Sequence, residues 1–278
     1  MTTSRIAFLD VDGTIIDADE SIAPSTIEAV RTARGNGHLV YLSTGRASVE
    51  IYPAIRAIGF DGVISAGGGF AEIGDELVIA RTMPEAAVTR MIDFYEASGF
   101  DFYLQSYDEV YPSPGVRARF ASYLSTVVVG GSDSADAAEH PALRAFADVR
   151  PYSRVGIAKS IFLGGDLTAY EQVSAELSGD YHVITGTMPY VGSGGGEVTL
   201  SGVNKGTTIL RLLQHLGLDA SSSIGIGDSS NDIEMLQVCG VGIAMGNAGD
   251  DIKAHADEVT TSVLDDGIWN AFRRHGLI

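Results

Sequence analysis

Cysteine is almost absent from this chain: Cys239 is the only one in 278 residues, so no intramolecular disulfide can form. Flanked by Val238 and Gly240, it reads as buried packing rather than as a reactive thiol. Basic residues are scarce too, with 18 Lys and Arg against 36 Asp and Glu, a formal charge of −18. Such a surface repels nucleic-acid phosphates and anionic membranes, so neither is expected as a partner. Long apolar runs are missing: none approaches the ~18 residues of a membrane span. The opening stretch Ile6–Leu9 is cut by Asp10, too short for a signal peptide, and the expected setting is cytoplasmic. The six histidines, His38, His140, His182, His215, His255 and His275, show no ligand-like spacing and read as structural or surface residues. There is no internal repeat.

What is present is apolar content of 45%, enough for a large core and for two domains of ~100–200 residues each. The first eighty residues alternate strand and helix signals: a strand at Arg5–Leu9, a helix from Ser25 to Arg34, a strand at Leu39–Leu42, a helix over Ala47–Ile58 and a strand at Val63–Ser65. Repeated strand-helix-strand units predict an α/β fold, a doubly wound, Rossmann-like parallel sheet. From Pro84 the pattern changes. An amphipathic helix carrying Val88, Met91, Ile92 and Tyr95 ends at Gly99, followed by strand-like Phe100–Gln105, a Gly-, Ser- and Asp-rich loop at 130–136, strand Ser160–Leu163, helix Leu167–Leu177 and strands near Tyr181–Thr185 and Tyr190–Val191. This mixture predicts an inserted α+β domain with an open antiparallel sheet. Residues 1–83 and 191–278 are expected to form the core and 84–190 the insertion. The Gly192–Gly196 run reads as a flexible return to a core strand at Glu197–Leu200.

Four sites at strand or helix ends carry chemistry. The strand Ile6–Leu9 runs into Asp10-Val11-Asp12-Gly13-Thr14, and period-2 geometry puts both carboxylates on one side, where they repel unless a cation joins them or one is protonated. A hard divalent ion such as Mg2+ is the simplest resolution. A strand entering an Asp-Gly turn would give the same residues, so this motif alone decides little. A second apolar strand ends at Gly227-Asp228-Ser229-Ser230-Asn231-Asp232. Helix capping accounts for Asp232 there, but not for Asp228 at the strand exit. Between the two lie Ser43-Thr44-Gly45-Arg46, a hydroxyl, a close-approach glycine and a guanidinium suited to an oxyanion, and Asn204-Lys205-Gly206, which puts an ammonium at a helix start. Taken singly, a lone Lys reads as solvated surface and Thr-Gly-Arg as a turn. Four such elements in one order point to phosphate chemistry.

That order, DxDGT, then (S/T)GR, then Lys, then GDxxND, resembles the haloacid dehalogenase (HAD) superfamily, and within it the Cof-type sugar-phosphatase group with a large C2-type cap. The likeness continues into Val241–Ala248 and Asp265–Ile268 and covers about residues 5–80 and 195–275. The insertion resembles the family only in length and element pattern. The resemblance implies that Asp10 is a nucleophile forming an aspartyl-phosphate and that Asp12 is the general acid and base. It implies Mg2+ held by Asp10, the Asp12 carbonyl and Asp228, with Asp232 behind them. Thr44, Gly45 and Asn231 would bind the phosphoryl group and Lys205 would neutralise its charge. Arg46 is either a ligand contact or a structural ion pair. The implied substrate is a small phosphorylated metabolite, a sugar phosphate in the first place, acted on by a monomer or weak homodimer. The alternatives are a phosphomutase, a dedicated sucrose-phosphate-type phosphatase, or a non-catalytic metabolite-binding protein; the paired acids Asp10 and Asp12 with Lys205 speak against the last. Where relatives carry Asn-Gly-Ala, this chain has Ala66-Gly67-Gly68-Gly69-Phe70, so no contact of that Asn carries over. Because the phosphoryl group is common to all esters, discrimination among them is expected from the insertion, with Gly67–Gly69 and Gly192–Gly196 as hinges.

Overall fold

The computed structural model describes residues 4–127, 151–164, 167–177, 179–186 and 194–278. The expected loop at 130–136 and strand at 190–191 lie outside them. The chain divides into two compact units, one of Met1–Gly45, Pro53–Ala80 and Val203–Ile278, the other of Arg46–Tyr52 and Arg81–Gly202. Among the described residues, no helix is long and apolar enough to cross a membrane.

The first unit begins with β1 (Ile6–Leu9), α1 (Pro24–Gly35), β2 (Leu39–Ser43), α2 (Pro53–Arg56), β3 (Gly62–Ser65), β4 (Phe70–Ile73) and β5 (Glu76–Ala80). The second unit adds α3 (Glu85–Ser98), β6 (Asp101–Gln105), β7 (Val110–Pro112), α4 (Val116–Val127), β8 (Lys159–Leu163), α5 (Leu167–Leu177), β9 (Tyr181–Thr185) and β10 (Gly195–Leu200). The chain closes in the first unit with α6 (Lys205–Leu216), β11 (Ser223–Gly227), α7 (Ile233–Val238), β12 (Val241–Ala244), α8 (Asp250–Lys253), β13 (Glu258–Val259) and α9 (Gly267–Arg274).

The first unit's sheet runs β13-β12-β11-β1-β2-β3-β4-β5. Its first six strands are mutually parallel, as the strand-helix alternation predicts. All four residues of β1 are buried, as a central strand covered on both faces requires. Ile6, Phe8, Tyr41 and Ile64 pack against Ile209, Leu212, Leu213 and Met235 of α6 and α7, while α1 packs against α9. The last two strands form an antiparallel hairpin that the periodicity did not signal. Its two-residue turn is Gly74-Asp75, with Gly74 at φ 58°, the positive φ that a tight hairpin demands at its first central position.

The second unit's sheet, β7-β6-β8-β10-β9, is antiparallel throughout, as expected of an α+β insertion. Met91, Ile92 and Tyr95 of α3 and Val173 and Leu177 of α5 bury one face against Phe102, Leu104, Phe162 and Val198. Period-2 alternation sends Gln105, Lys159, Glu197 and Thr199 to the opposite face.

Three local expectations are corrected. Residues 197–200 do not form a core strand: Val198 pairs with Val183 on one side and Ser160 on the other. An alternating Glu-Val-Thr sequence suits a sheet with one polar face, not a parallel strand covered twice. Gly195 and Gly196 belong to this strand rather than to a linker, and a Cβ on Gly196 would come within 2.5 Å of the Ile184 carbonyl oxygen. The helix over Ala47–Ile58 is a three-residue turn at Ser48–Glu50 and the short α2, because Pro53 lacks a donor and pushes the residue before it into extended backbone. Finally, Gly67–Gly69 is no boundary between units. It lies inside the first unit, where a Cβ on Gly68 would collide with the carbonyl of Asn204 and the Gly68 carbonyl accepts the Thr208 hydroxyl at 2.7 Å.

Candidate active site

In a parallel sheet the carboxyl ends of the strands share one edge, and there β1 delivers Asp10, β2 delivers Thr44 and β11 delivers Asp228. Lys205 opens α6. Its position is fixed by Asn204, whose side chain accepts the Thr207 amide at 2.8 Å while its own amide donates to the Thr207 hydroxyl at 3.2 Å. Gly206 allows α6 to pass close to α7, since a Cβ there would lie 2.5 Å from the Glu234 carbonyl oxygen.

The buried Lys205 ammonium donates to Oδ1 of Asp10 and to Oδ1 of Asp232, each at 2.6 Å. Carboxylate oxygens of Asp10, Asp228 and Asp232 all lie within 4.8 Å of one another. Asp232 is tied on both sides, its Oδ2 accepting the amides of Asp228 and Ser229 at 3.0 Å. The carboxylate therefore orients Lys205 and the loop that carries Asp228. Burial first, then the neighbouring Asp232 carboxylate, pushes the pKa of Asp10 well up, and the same two causes push Asp228 up to about 7. Burial opposes the Lys205 charge, yet Asp10 and Asp232 outweigh it and hold its pKa above the usual value.

Three carboxylates against one ammonium leave negative charge that only protons or a cation can offset. The donors are all oxygen, so the set fits a hard divalent cation.

The remaining expected residues sit as follows. Asp12 is exposed on the turn after β1 and contributes to the field raising Asp10 and Asp228. Thr44 is buried; its amide donates to the Ile64 carbonyl and its carbonyl accepts the Gly67 amide. Gly45 ends the first stretch of the first unit, whereas Arg46 belongs to the second. The Asn231 amide oxygen accepts the Ser229 hydroxyl at 3.0 Å.

Two residues that sequence reasoning left without a role complete the constellation. Thr14 donates its hydroxyl to Asp228 Oδ1 at 3.2 Å, and Gly13, at φ 78°, lies against that carboxylate so closely that no Cβ fits. The Gly-Thr pair after the second acid was visible in the sequence, but its partner 214 residues away was not.

A family profile described as haloacid dehalogenase-like hydrolase matches residues 7–272. Among curated proteins, YkrA of Bacillus subtilis (strain 168) is 26% identical over 283 residues, covering 99% of both chains. The pyridoxal phosphate phosphatase YbhA of Escherichia coli (strain K12) is 24% identical, covering 98% of this chain and 99% of its own. The fold is also that of BT1666 from Bacteroides thetaiotaomicron, a phosphatase of the same superfamily (TM-score 0.78, 24% identity, 99% of this chain and 96% of that one). With the match running from β1 into α9 and through every residue of the carboxylate cluster, the chain belongs to the haloacid dehalogenase-like hydrolases.

Proposed function

We propose that this HAD-family phosphatase hydrolyses small phosphorylated metabolites, sugar phosphates in the first place, in a Mg2+-dependent reaction through an aspartyl-phosphate on Asp10. The carrying observation is the buried Lys205 ammonium bridging Asp10 and Asp232 beside Asp228 at the strand ends. A nucleophilic carboxylate must meet an anionic phosphoryl group, and such a cluster supplies the compensating charge. Mg2+ would be held by Asp10, Asp228 and the Asp12 carbonyl, with Asp232 supporting them, and when bound it neutralises developing charge on the phosphoryl oxygens.

Asp10 attacks phosphorus through a carboxylate oxygen, and the bond to the leaving alkoxide breaks as Asp12 gives that oxygen a proton. Asp12, now a carboxylate, takes a proton from water, whose oxygen attacks phosphorus and frees Asp10 and inorganic phosphate. An exposed acid suits this double task, since it must exchange protons with solvent and substrate. Lys205 keeps Asp10 in place and offsets charge in both displacements. Thr44, the Gly45 amide and Asn231 are assigned to the phosphoryl oxygens. The chemistry of YbhA's named substrate, a phosphate monoester of a small cofactor, agrees with this class. The test is a panel of phosphate esters assayed for released phosphate: turnover requires Mg2+ and stops with EDTA, and absence of release from every ester contradicts the proposal.

A further inference from the structure

The proposed reaction gives no role to the loop that leaves β12 and leads to α8. That loop is tied to the first unit at several points. The Met245 amide donates to the Gly227 carbonyl at 2.9 Å and the Gly246 amide to the Thr261 carbonyl at 3.1 Å. Lys253 Nζ returns to the Gly246 carbonyl at 2.8 Å. Met245 and Ala248 are buried, and a Cβ on Gly246 would lie 2.7 Å from the Ser262 amide nitrogen. Between these anchors stands one exposed polar side chain, Asn247.

Asn247 reaches the opposite end of the sequence. Its Nδ2 donates to the Gly13 carbonyl at 2.8 Å, a contact across 234 residues. Gly13 sits between Asp12 and Thr14 in the turn that leaves β1. Inside that turn the Gly13 amide donates to the Ile16 carbonyl at 2.8 Å, and the amides of Ile15 and Ile16 donate to the Val11 carbonyl at 2.9 and 3.0 Å. The turn thus satisfies its own amides, whereas the Gly13 carbonyl takes its donor from outside, from Asn247. The same loop therefore holds the neighbours of both acids: Met245 holds Gly227, which precedes Asp228, and Asn247 holds Gly13, which follows Asp12. Thr14 closes the ring by donating to Asp228 Oδ1. All of these residues lie in the first unit. Gly13, at φ 78°, is a residue with wide conformational freedom, so an acid beside it gains from an outside restraint.

We infer that Asn247 is a positioning residue for Asp12: its side-chain amide clamps the glycine turn to the β12–α8 loop and so fixes the acid that protonates the leaving alkoxide. The inference rests on the reaction proposed above, with Asp12 as general acid. Asn247 transfers no proton itself. What it supplies is orientation, which counts where the Asp12 proton meets the leaving oxygen. Esters differ in how much they need that proton. A nitrophenolate leaves without it, whereas an alkoxide has to be protonated as its bond to phosphorus breaks. Loss of the clamp is therefore felt mainly by alkyl esters, and a residue that merely stabilised the fold would affect both kinds alike.

The experiment compares the wild-type chain with N247A, N247D and D12N in the presence of Mg2+, on nitrophenyl phosphate and on the alkyl phosphate that the wild type turns over best. It measures kcat/KM, which reports the steps up to the breaking of the ester bond, and thermal melting of each variant. N247A is expected to lose about tenfold or more in kcat/KM on the alkyl ester and less than about threefold on nitrophenyl phosphate, while its melting temperature stays close to wild type. N247D keeps the shape but sets an acceptor against the Gly13 carbonyl, so it is expected to do no better than N247A. D12N is expected to show the same preference more strongly. Equal losses on the two esters in the Asn247 variants, wild-type rates in either of them, or collapse of both melting temperatures would overturn the inference, and Asp12 would stand as the acid if D12N keeps its preference. Equal losses on both esters in D12N would overturn Asp12 as the general acid, and this inference with it. A wild-type chain that releases phosphate from neither ester overturns the phosphatase reading first.

Discussion

Gly13 lies against the carboxylate of Asp228 so closely that a Cβ at position 13 would occupy the space of its oxygens. The turn after β1 and the acid at the end of β11 are therefore shaped as one surface. G13A should be doubly penalised, by the clash and by φ 78°, which costs an L-residue roughly 1–2 kcal/mol. A kcat/KM at least tenfold below wild type, with weaker Mg2+ dependence of melting, is expected from steady-state kinetics and thermal scans. A variant with wild-type metal response would show that Asp228 does not need this approach.

Removing the ammonium of Lys205 leaves two buried carboxylates facing one another. K205M should lower stability by about 3–5 kcal/mol, the range for breaking a buried pair from one side. Urea denaturation of metal-free protein near neutral pH measures this. A loss below about 1 kcal/mol would mean that the cluster relaxes without the lysine.

The carboxyl pKa values set a pH dependence whose sign is determined. Asp10 and Asp228 are raised in the folded protein, Asp228 to about 7, so the folded state keeps protons that the unfolded chain has lost. Their stability contribution is complete below the unfolded carboxyl range of roughly 4 and is lost as pH rises towards about 7. Under the proposed reading, a divalent cation bound at the cluster would replace the missing protons. The rise in melting temperature on adding Mg2+ should therefore be larger at about pH 8 than at about pH 5.5, and smaller in D228N at the higher pH. Equal increments at both pH values would contradict the cluster as the cation site.

The residues of the candidate site were legible because their signals are local. An apolar strand stopping at Asp10 or Asp228, and the Asn204-Lys205-Gly206-Thr207 start of α6, can be read within a few residues. The allegiance of segments could not be read this way. Glu197–Leu200 has strand periodicity wherever it pairs, and only Val183 and Ser160 decide that it joins the second sheet. Arg46 looks like part of the Thr44-Gly45 turn, yet it donates to the Glu50 carbonyl within the second unit. The hairpin Phe70–Ala80 did carry a local signal in Gly74-Asp75, hidden beside the more conspicuous Gly67–Gly69 run.

His38 supplies a second pH effect, of opposite sign. Its Nδ1 accepts the Arg5 amide at 3.0 Å, and burial, then the Arg5 charge, holds its pKa below the usual value. The neutral ring's contribution is present above about pH 6.5 and lost as pH falls through the folded pKa. The melting temperatures of wild type and H38N should converge between about pH 7.5 and about pH 5. A constant gap would show that the imidazole is not neutral in the folded protein.

The most direct measurement is acid quench of the Mg2+-loaded enzyme during turnover of a phosphate-labelled ester, followed by peptide mapping of the trapped protein. The account predicts one phosphoryl group, labile to hydroxylamine, on the peptide containing Asp10, and neither label nor turnover in a folded D10N variant. Turnover without label, label on another residue, or near-wild-type hydrolysis by D10N would contradict it.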